Sequence, residues 1–409
     1  MIPPKTVSRR RTRASNRTPA QGRVGLTFSN YDLGQAILLA LGFFVAAFPL
    51  HANSDLTVTE DRLKDPGWWP TKGSYARADY VGPAACGECH ASQSETWKTT
   101  PMAHAGFPTG DSEILTRHPR LEFRRGPFTY RIERSGETTI YFVNDDTGAL
   151  SLPLQWAMGL GVVGQTYVYE QGGAFLESLA TYNSSTGQLD LTPGDSTAYV
   201  PATLQDAPGR PLVGGEAERC FACHTTAAVV NDRLQPAGLI SGVTCEACHG
   251  PGARHITAVK SGGNGKGAIF NPSSLKASES VDFCGACHRT PMDVLLMGIN
   301  GPANVRFQPY RLQGSRCWNP DDRRIACVAC HDPHQPLEKR ADLYDAKCLA
   351  CHATRAGEAI SRERPGRACP VDTSNCSTCH MPKIEFKSMH CKFSDHRIRV
   401  DHPAEPYPS

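Results

Sequence analysis

Aromatic residues are scarce in this 409-residue sequence, at 8%, whereas glycine and proline are plentiful, with 37 and 31 copies. Few large apolar side chains and many turn-forming residues predict a loop-rich chain rather than one built around a conventional core. A phosphate-binding loop is also lacking, because the glycine-rich stretch with Gly159, Gly161 and Gly164 matches no such pattern and indicates a turn between strands. No unit of constant length recurs, which argues against a solenoid of equal repeats.

An excess of charge of one sign is lacking as well. The chain has 43 basic and 40 acidic residues, a formal net charge of +3. Seven of the basic residues and one acidic residue lie in residues 1–52, which leaves 36 basic and 39 acidic residues in the rest. Nucleic-acid binding therefore has no support beyond residue 52, and we expect no nucleic-acid partner.

Long apolar stretches are rare, and the uncharged residues 33–50 stand out because they follow a basic stretch. This order is typical of an export signal, and Ala52 offers a small residue at a cleavage point. The run is just long enough to span a bilayer, so an uncleaved membrane anchor is the alternative. Arg9 and Arg10 lie far from the run, which favours general secretion over twin-arginine export. We expect a protein that is periplasmic, or membrane-anchored and facing the periplasm.

Cysteine, by contrast, is abundant, and most of the 17 cysteines belong to seven copies of Cys-x-x-Cys-His. In chain order, the cysteine pairs of the first to seventh motifs are Cys86 and Cys89, Cys220 and Cys223, Cys245 and Cys248, Cys284 and Cys287, Cys327 and Cys330, Cys348 and Cys351, and Cys376 and Cys379. The histidines that complete the motifs are His90, His224, His249, His288, His331, His352 and His380.

Each motif is a c-type haem attachment sequence. Two thiols three residues apart can each add to one vinyl group of a porphyrin, and the adjacent histidine then falls under the ring and can ligate the iron. Zinc knuckles also use Cys-x-x-Cys pairs, but they do not require a histidine after every second cysteine. The sequence therefore predicts seven covalently bound c-type haems, whose binding contributes folding free energy that an apoprotein would lack.

The motifs are unevenly spaced, which divides the chain into segments. We predict a signal peptide or anchor at 1–52, an extended lead-in at 53–80, a first haem segment at 81–105, a β-rich insert at 106–218, a six-haem cluster at 219–400 and a tail at 401–409. In the insert, Phe128–Arg134 and Thr138–Val143 alternate around Ser135-Gly136 and predict a hairpin. A second hairpin is predicted from Gln165–Glu170 and Ala174–Tyr182, so we expect a small antiparallel sheet.

Of the 15 histidines, seven belong to the motifs and His51 belongs to the export segment. Seven others remain. A second axial histidine makes a haem iron six-coordinate and suited to electron transfer, whereas an open position binds a small molecule. The candidate distal ligands are His104, His255, His334, His390 and His396, with His118 and His402 as weaker candidates. Met102 and Met381 are alternative sixth ligands. We expect five or six haems with two histidine ligands and one or two haems with an open or different sixth position.

Three cysteines lie outside the motifs, at Cys317, Cys369 and Cys391. In an oxidising compartment, one disulfide and one free thiol are expected. We predict that Cys317 pairs with Cys369, although spacing alone does not fix the connectivity.

Four stretches resemble multihaem cytochromes c: Val243–His255, Val305–Cys317, Cys330–His334, and Cys379–Lys383 with Ser394–Ile398. More narrowly, they resemble the superfamily of the tetrahaem cytochrome of ammonia oxidisers, pentahaem nitrite reductase and octahaem hydroxylamine oxidoreductase. The resemblance implies a multihaem cytochrome c fold with short α-helices around stacked haems, and distal roles for His255 and His396. All seven motifs here end in histidine, whereas the nitrite reductase uses lysine in its catalytic motif, and no tyrosine matches the haem-bonded one of hydroxylamine oxidoreductase.

The sequence therefore favours a heptahaem electron carrier, whose partners are other redox proteins or a membrane quinol-oxidising complex. No catalytic residue is assigned. The alternative is a multihaem oxidoreductase with one open haem that acts on a small nitrogen or sulfur compound. A conductive filament is a third hypothesis.

Overall fold

The computed structural model describes residues 75–194, 200–352, 369–402 and 407, and the predicted export segment lies outside them. Within these ranges the secondary structure consists of short helices and short antiparallel strands. The α-helices are α1 (Pro83–Gly87), α2 (Ala91–Trp97), α3 (Glu113–Arg117), α4 (Glu216–His224), α5 (Cys245–His249), α6 (Ala253–Lys260), α7 (Ala277–His288), α8 (Pro291–Met297), α9 (Gln308–Gln313), α10 (Cys327–Cys330), α11 (Ala341–Leu349) and α12 (Cys376–His380). The expected combination of short helices and antiparallel sheets is confirmed.

Eleven of the strands lie between the first and second motifs. They are β1 (Gly106–Pro108), β2 (Arg120–Arg125), β3 (Phe128–Ser135), β4 (Thr138–Asn144), β5 (Ala149–Pro153), β6 (Trp156–Met158), β7 (Thr166–Gln171), β8 (Ala174–Ser178), β9 (Ala180–Asn183), β10 (Gln188–Leu191) and β11 (Gly209–Pro211). The remaining strands are β12 (Val229–Val230), β13 (Arg233–Leu234), β14 (Lys383–Phe386) and β15 (Cys391–Ser394).

The insert contains a four-stranded sheet, β2-β3-β4-β5, and a five-stranded sheet, β1-β6-β7-β8-β11, both antiparallel. The predicted β3–β4 hairpin is present, with Ser135 opposite Thr138. The β7–β8 hairpin turns through Gly172 and Gly173, whose positive φ angles of 60° and 81° suit a tight hairpin loop.

The structure corrects the end of the second predicted hairpin. The predicted strand 174–182 is divided at Leu179 into β8 and β9, because β8 pairs with β11 whereas β9 pairs with β10. The insert is also larger than the small sheet expected from its two clear hairpins. The short strands β1, β6 and β11 show little alternation of apolar and polar residues. Their position is fixed by pairing with strands that are distant in the sequence.

Both faces of β7 are buried, which links the insert to the second motif. Tyr167 and Tyr169 face the main hydrophobic core between the sheets, and Val168 faces a second cluster with Phe221 of α4. Trp156 contacts Phe221 edge to face, with ring centroids 5.2 Å apart. The helix that carries the second motif therefore packs directly on the insert.

Both hydrophobic clusters of the described residues lie between residues 107 and 239. The five later motifs, by contrast, lie in loops and short helices with few large buried apolar side chains. This contrast is what a chain organised around bound macrocycles requires, because the cofactors would supply the apolar interior. Among the described helices, none is both long and apolar enough to cross a membrane.

Candidate haem-binding centre

Every motif lies on a short helix or on the turn that ends one. The α4, α5, α7 and α12 helices each end at their motif histidine, and the other motifs continue the helical turn past the helix end. In the first, fifth and sixth motifs, the backbone N–H of the histidine donates to the backbone carbonyl of the first cysteine at 2.8, 2.9 and 3.0 Å, respectively. Residues three and four apart on a helical turn share one face, so both thiols and the imidazole face the same side.

Backbone carbonyls fix the orientation of several motif imidazoles. Nδ1 of His224 donates to the carbonyl of Ala105 at 2.8 Å, and Nδ1 of His249 donates to that of Phe270 at 3.0 Å. In the seventh motif, Nδ1 of His380 donates to the carbonyl of Arg399 at 2.7 Å. A proton held on Nδ1 leaves Nε2 unprotonated, which is the arrangement that second-shell partners impose on metal-binding histidines.

Three motif histidines each face a histidine from a later part of the chain. The ring centroids are 6.4 Å apart for His90 and His255, 6.1 Å for His249 and His334, and 6.2 Å for His331 and His396. A metal–imidazole bond is about 2 Å long, so two imidazoles that bind one ion through Nε2 have centroids about 6 Å apart. The spacing of the three pairs therefore fits an iron between the rings.

The facing histidines are also oriented through Nδ1. Nδ1 of His255 donates to the carbonyl of Gly265 at 3.1 Å, and Nδ1 of His396 donates to that of Ser394 at 3.0 Å. His334 places Nδ1 3.3 Å from the Asp332 carboxylate. These partners again reserve Nε2 for a metal.

Burial keeps several of these imidazoles neutral. It lowers the pKa of His396 to about 4, which the backbone carbonyl of Ser394 only partly offsets. Burial is also the main cause that lowers the pKa of His224, His249, His288 and His331. A neutral imidazole is the form that binds a metal.

Contacts between motif cysteines show which motifs are neighbours. In four pairs the two thiols lie close enough for one to shift the pKa of the other: Cys86 with Cys245, Cys223 with Cys287, Cys284 with Cys327, and Cys348 with Cys376. The first motif therefore adjoins the third, the fourth adjoins the second and the fifth, and the sixth adjoins the seventh. Chain order alone would not have indicated the contacts of the first motif with the third, or of the second with the fourth.

The other predicted distal ligands have different surroundings. Nε2 of His104 lies 2.8 Å from the carbonyl of Lys98, and Nε2 of His390 lies 2.7 Å from the Asp190 carboxylate on β10. The His118 ring lies tilted against that of Tyr182, with ring centroids 5.3 Å apart, and His402 is exposed. The structure brings none of these four rings opposite a motif histidine in the ring contacts of the described residues. Met102 and Met381 are half-buried, and their predicted role stays a prediction.

The predicted Cys317–Cys369 disulfide is not formed, because both residues and Cys391 are free thiols. Burial raises the pKa of Cys317, and the neighbouring Cys348 and Cys351 raise it further. Cys317 thus lies near the sixth motif rather than against Cys369.

Two buried carboxylates that sequence reasoning missed hold the motifs together. Glu246, inside the third motif, accepts hydrogen bonds from the amides of Val81 and Gly82, each at 2.8 Å. Asp345 on α11 accepts from the amides of Asn375 and Cys376, each at 2.7 Å, at the start of the seventh motif. The one sequence signal available for Glu246 was an acidic residue between the two cysteines of the third motif.

Known proteins similar to this chain include cytochromes. The model of the family described as "Cytochrome c554 and c-prime" matches residues 205–250, which include the second and third motifs. The multihaem cytochrome MtrA of Shewanella baltica (strain OS185) is 27% identical over 179 residues, 41% of this chain and 46% of that protein. The chain therefore spans about half the length of the curated relative it matches.

Among solved structures, the outer cell wall cytochrome OcwA superposes with a TM-score of 0.43 at 16% identity, over 78% of this chain and 80% of that chain. The family match and the MtrA relative support a multihaem c-type cytochrome. The narrower resemblance to the tetrahaem, pentahaem and octahaem proteins stays a prediction.

Proposed function

We propose that this multihaem c-type cytochrome is a heptahaem electron carrier that acts outside the cytoplasm. The observation that carries the proposal is the set of three histidine pairs with ring centroids 6.1 to 6.4 Å apart. Two histidine ligands close both axial positions of an iron and suit it to electron transfer rather than to substrate binding.

In this proposal the chain holds and orients its cofactors. The motif cysteines attach the haems, which supply one-electron chemistry when bound. Backbone carbonyls such as those of Phe270 and Gly265 fix the imidazoles. The buried carboxylates of Glu246 and Asp345 keep neighbouring motifs together, so that their haems lie close enough for electrons to pass. Other redox proteins or a membrane quinol-oxidising complex are the partners that this role requires.

The alternative is an oxidoreductase with one open haem. It is supported by His224, His288 and His380, because no histidine ring faces them in the ring contacts of the described residues. The substrate would be a small nitrogen or sulfur compound that reaches the open position. The enzyme hypothesis predicts a high-spin haem at the open position, whereas the carrier hypothesis predicts a low-spin haem there.

Electron paramagnetic resonance of the oxidised full-length protein tests both readings, with haem content measured on the same sample. The carrier proposal expects seven haems and low-spin signals only. A high-spin signal that shifts when nitrite or hydroxylamine is added would replace the carrier by the enzyme. A haem content clearly below seven would contradict the proposed cofactor set.

A matched pair of variants tests the histidine pairing itself. His255→Ala removes a ring that faces His90, and we expect one low-spin signal to be replaced by a high-spin signal. His402→Ala removes an exposed histidine and serves as the control, with an unchanged spectrum. Equal spectra for the two variants would show that His255 is not a ligand.

A further inference from the structure

The segment between the fourth and fifth motifs contains buried polar atoms without hydrogen-bond partners. Asn304 is 1% exposed, and its Oδ1 accepts from Nη1 of Arg311 at 3.1 Å. Its Nδ2 has no partner within the described ranges, and neither have Nε of Arg306 and Oε1 of Gln308. Buried polar groups are nearly always hydrogen-bonded, so the two N–H donors in one short segment, Nδ2 of Asn304 and Nε of Arg306, indicate an acceptor that the chain itself does not supply.

Arg306 also has no neutralising partner among the described residues. Burial and the positive charge of Arg289 both act against its protonated form, and no acidic group counters them. Its guanidinium carbon lies 5.0 Å from the centroid of the Phe307 ring, a cation–π contact that provides only part of the missing stabilisation. A buried arginine that another positive charge acts on, with no carboxylate acting on it, is in an electrostatic environment that favours an anion.

Arg289 connects this environment to two haem motifs. It directly follows His288 at the end of α7, and its backbone has a φ of 72°, which is rare for a residue with a side chain. It is also close enough for its charge to act on His224 of the second motif. Arg289 therefore lies next to the residues that would hold the haem of the fourth motif.

We propose that Asn304, Arg306 and Arg289 bind a carboxylate, and that a propionate of the haem on the fourth motif supplies it. The guanidinium and amide N–H groups are donors that match a carboxylate in charge and geometry. A propionate is tethered by the haem, so it reaches a buried site without an entry path. A free oxyanion such as nitrite has the same chemistry and would be the other source. The inference rests on the proposed haem attachment at the fourth motif.

Arg306→Gln tests the site in the exported full-length holoprotein, with Arg233→Gln as the control for an equal loss of charge at an exposed position. Peptide mass spectrometry of the fourth motif first establishes that its haem is attached. We then expect one haem in Arg306→Gln to have a more negative midpoint potential, because a nearby positive charge stabilises the reduced iron. The same potential should become pH-dependent under weakly acidic conditions, because a carboxylate without its arginine protonates more readily.

Three outcomes would overturn the proposal in different ways. A fourth motif without haem would contradict the proposed function as well. Attached haem with identical potentials in Arg306→Gln and Arg233→Gln would remove the carboxylate site and leave the carrier proposal intact. A saturable absorbance change on adding nitrite to the wild type, lost in Arg306→Gln and kept in Arg233→Gln, would show that a free anion and not a propionate is the ligand.

Arg289→Gln covers the case in which Arg306→Gln loses haem or fails to fold. Residue 289 lies at a helix end and supplies the second positive charge of the proposed site. The proposal expects the same negative shift of one potential and no shift in Arg233→Gln. Unchanged potentials in Arg289→Gln would count against it.

Discussion

The carboxylate of Glu246 accepts a hydrogen bond from the amide of Gly82 at 2.8 Å, across 164 residues of sequence. The same side chain accepts from the amides of Val81 and Gly252, also at 2.8 Å, and it is fully buried. One glutamate inside the third motif thus holds the backbone just before the first motif. Cys86 and Cys245, whose thiols lie close enough for Cys245 to raise the pKa of Cys86, are at the same junction.

Glu246→Ala should therefore destabilise the protein strongly. It leaves three buried or partly buried amides without their acceptor, and an unpaired donor costs about 1 to 3 kcal/mol when it is buried. We expect the free energy of unfolding to fall by about 3 kcal/mol or more in chemical denaturation followed by haem absorbance. The control is Glu88→Ala, which changes an exposed residue between the two cysteines of the first motif. It should change the free energy of unfolding by less than about 0.5 kcal/mol. Equal effects of the two variants would refute the role of Glu246.

Gly265→Ala should disturb the ring of His255. A Cβ at residue 265 would lie 2.6 Å from Cε1 and Nδ1 of that imidazole, which is closer than such atoms approach. Gly262 has a φ of 85°, similar to the 66° of Gly265, but has nothing near its Cβ position. Gly262→Ala therefore has the same backbone strain without the clash.

We expect Gly265→Ala to change the low-spin signal of one haem in electron paramagnetic resonance, and Gly262→Ala to leave all signals as they are. If both variants retained the wild-type spectrum, His255 would not be held against an iron by this contact.

Asp395→Asn should remove most of the stabilisation from a buried charge network. Asp395 accepts from Nε and Nη2 of Arg311, both at 2.9 Å, and the two side chains are 0% and 1% exposed. Breaking a buried ion pair costs about 3 to 5 kcal/mol, because the remaining charge stays buried without the carboxylate that neutralises it. Asp342→Asn breaks a pair with Arg340 in which both side chains are 64% exposed, and it should cost less than about 1 kcal/mol. Thermal unfolding of both variants measures the difference, and similar losses would contradict the expectation.

Tyr167→Phe should leave stability unchanged or raise it. The Tyr167 ring is fully buried between the sheets of the insert, and its hydroxyl has no hydrogen-bond partner among the described residues. Burial raises the pKa of this hydroxyl well above its ordinary value, so it remains neutral. Removing an unpaired buried hydroxyl relieves up to about 1 kcal/mol of desolvation cost.

Tyr182→Phe is the comparison for that prediction, because the Tyr182 hydroxyl lies 3.3 Å from Nε2 of His118 in the same core. Its loss should lower the free energy of unfolding by about 1 kcal/mol in urea denaturation. A larger loss for Tyr167→Phe than for Tyr182→Phe would show that the Tyr167 hydroxyl is paired after all.

Much of the insert could be predicted, because the local sequence of its strands carries the signals of a β-hairpin. Tyr130 and Ile132 alternate with polar residues, and Gly136 allows the turn that follows. The division of the predicted strand at Leu179 could not be foreseen, since it depends on the pairing of β8 with β11, a strand that comes later in the chain. The Cys317–Cys369 pairing was wrong for a related reason: spacing does not say which thiols meet, and Cys317 lies instead by the sixth motif.

The sequence by itself determined the predicted haem attachment sites, because two cysteines and a histidine within one helical turn are placed by local geometry. It could not determine which distant histidine faces which motif, although His255 and His396 were already candidates. Tertiary structure alone set His255 opposite His90 and His396 opposite His331. It likewise set Glu246 against Gly82. Such relationships depend on the path of the chain between the residues, which packing and long-range hydrogen bonds fix and local sequence does not encode.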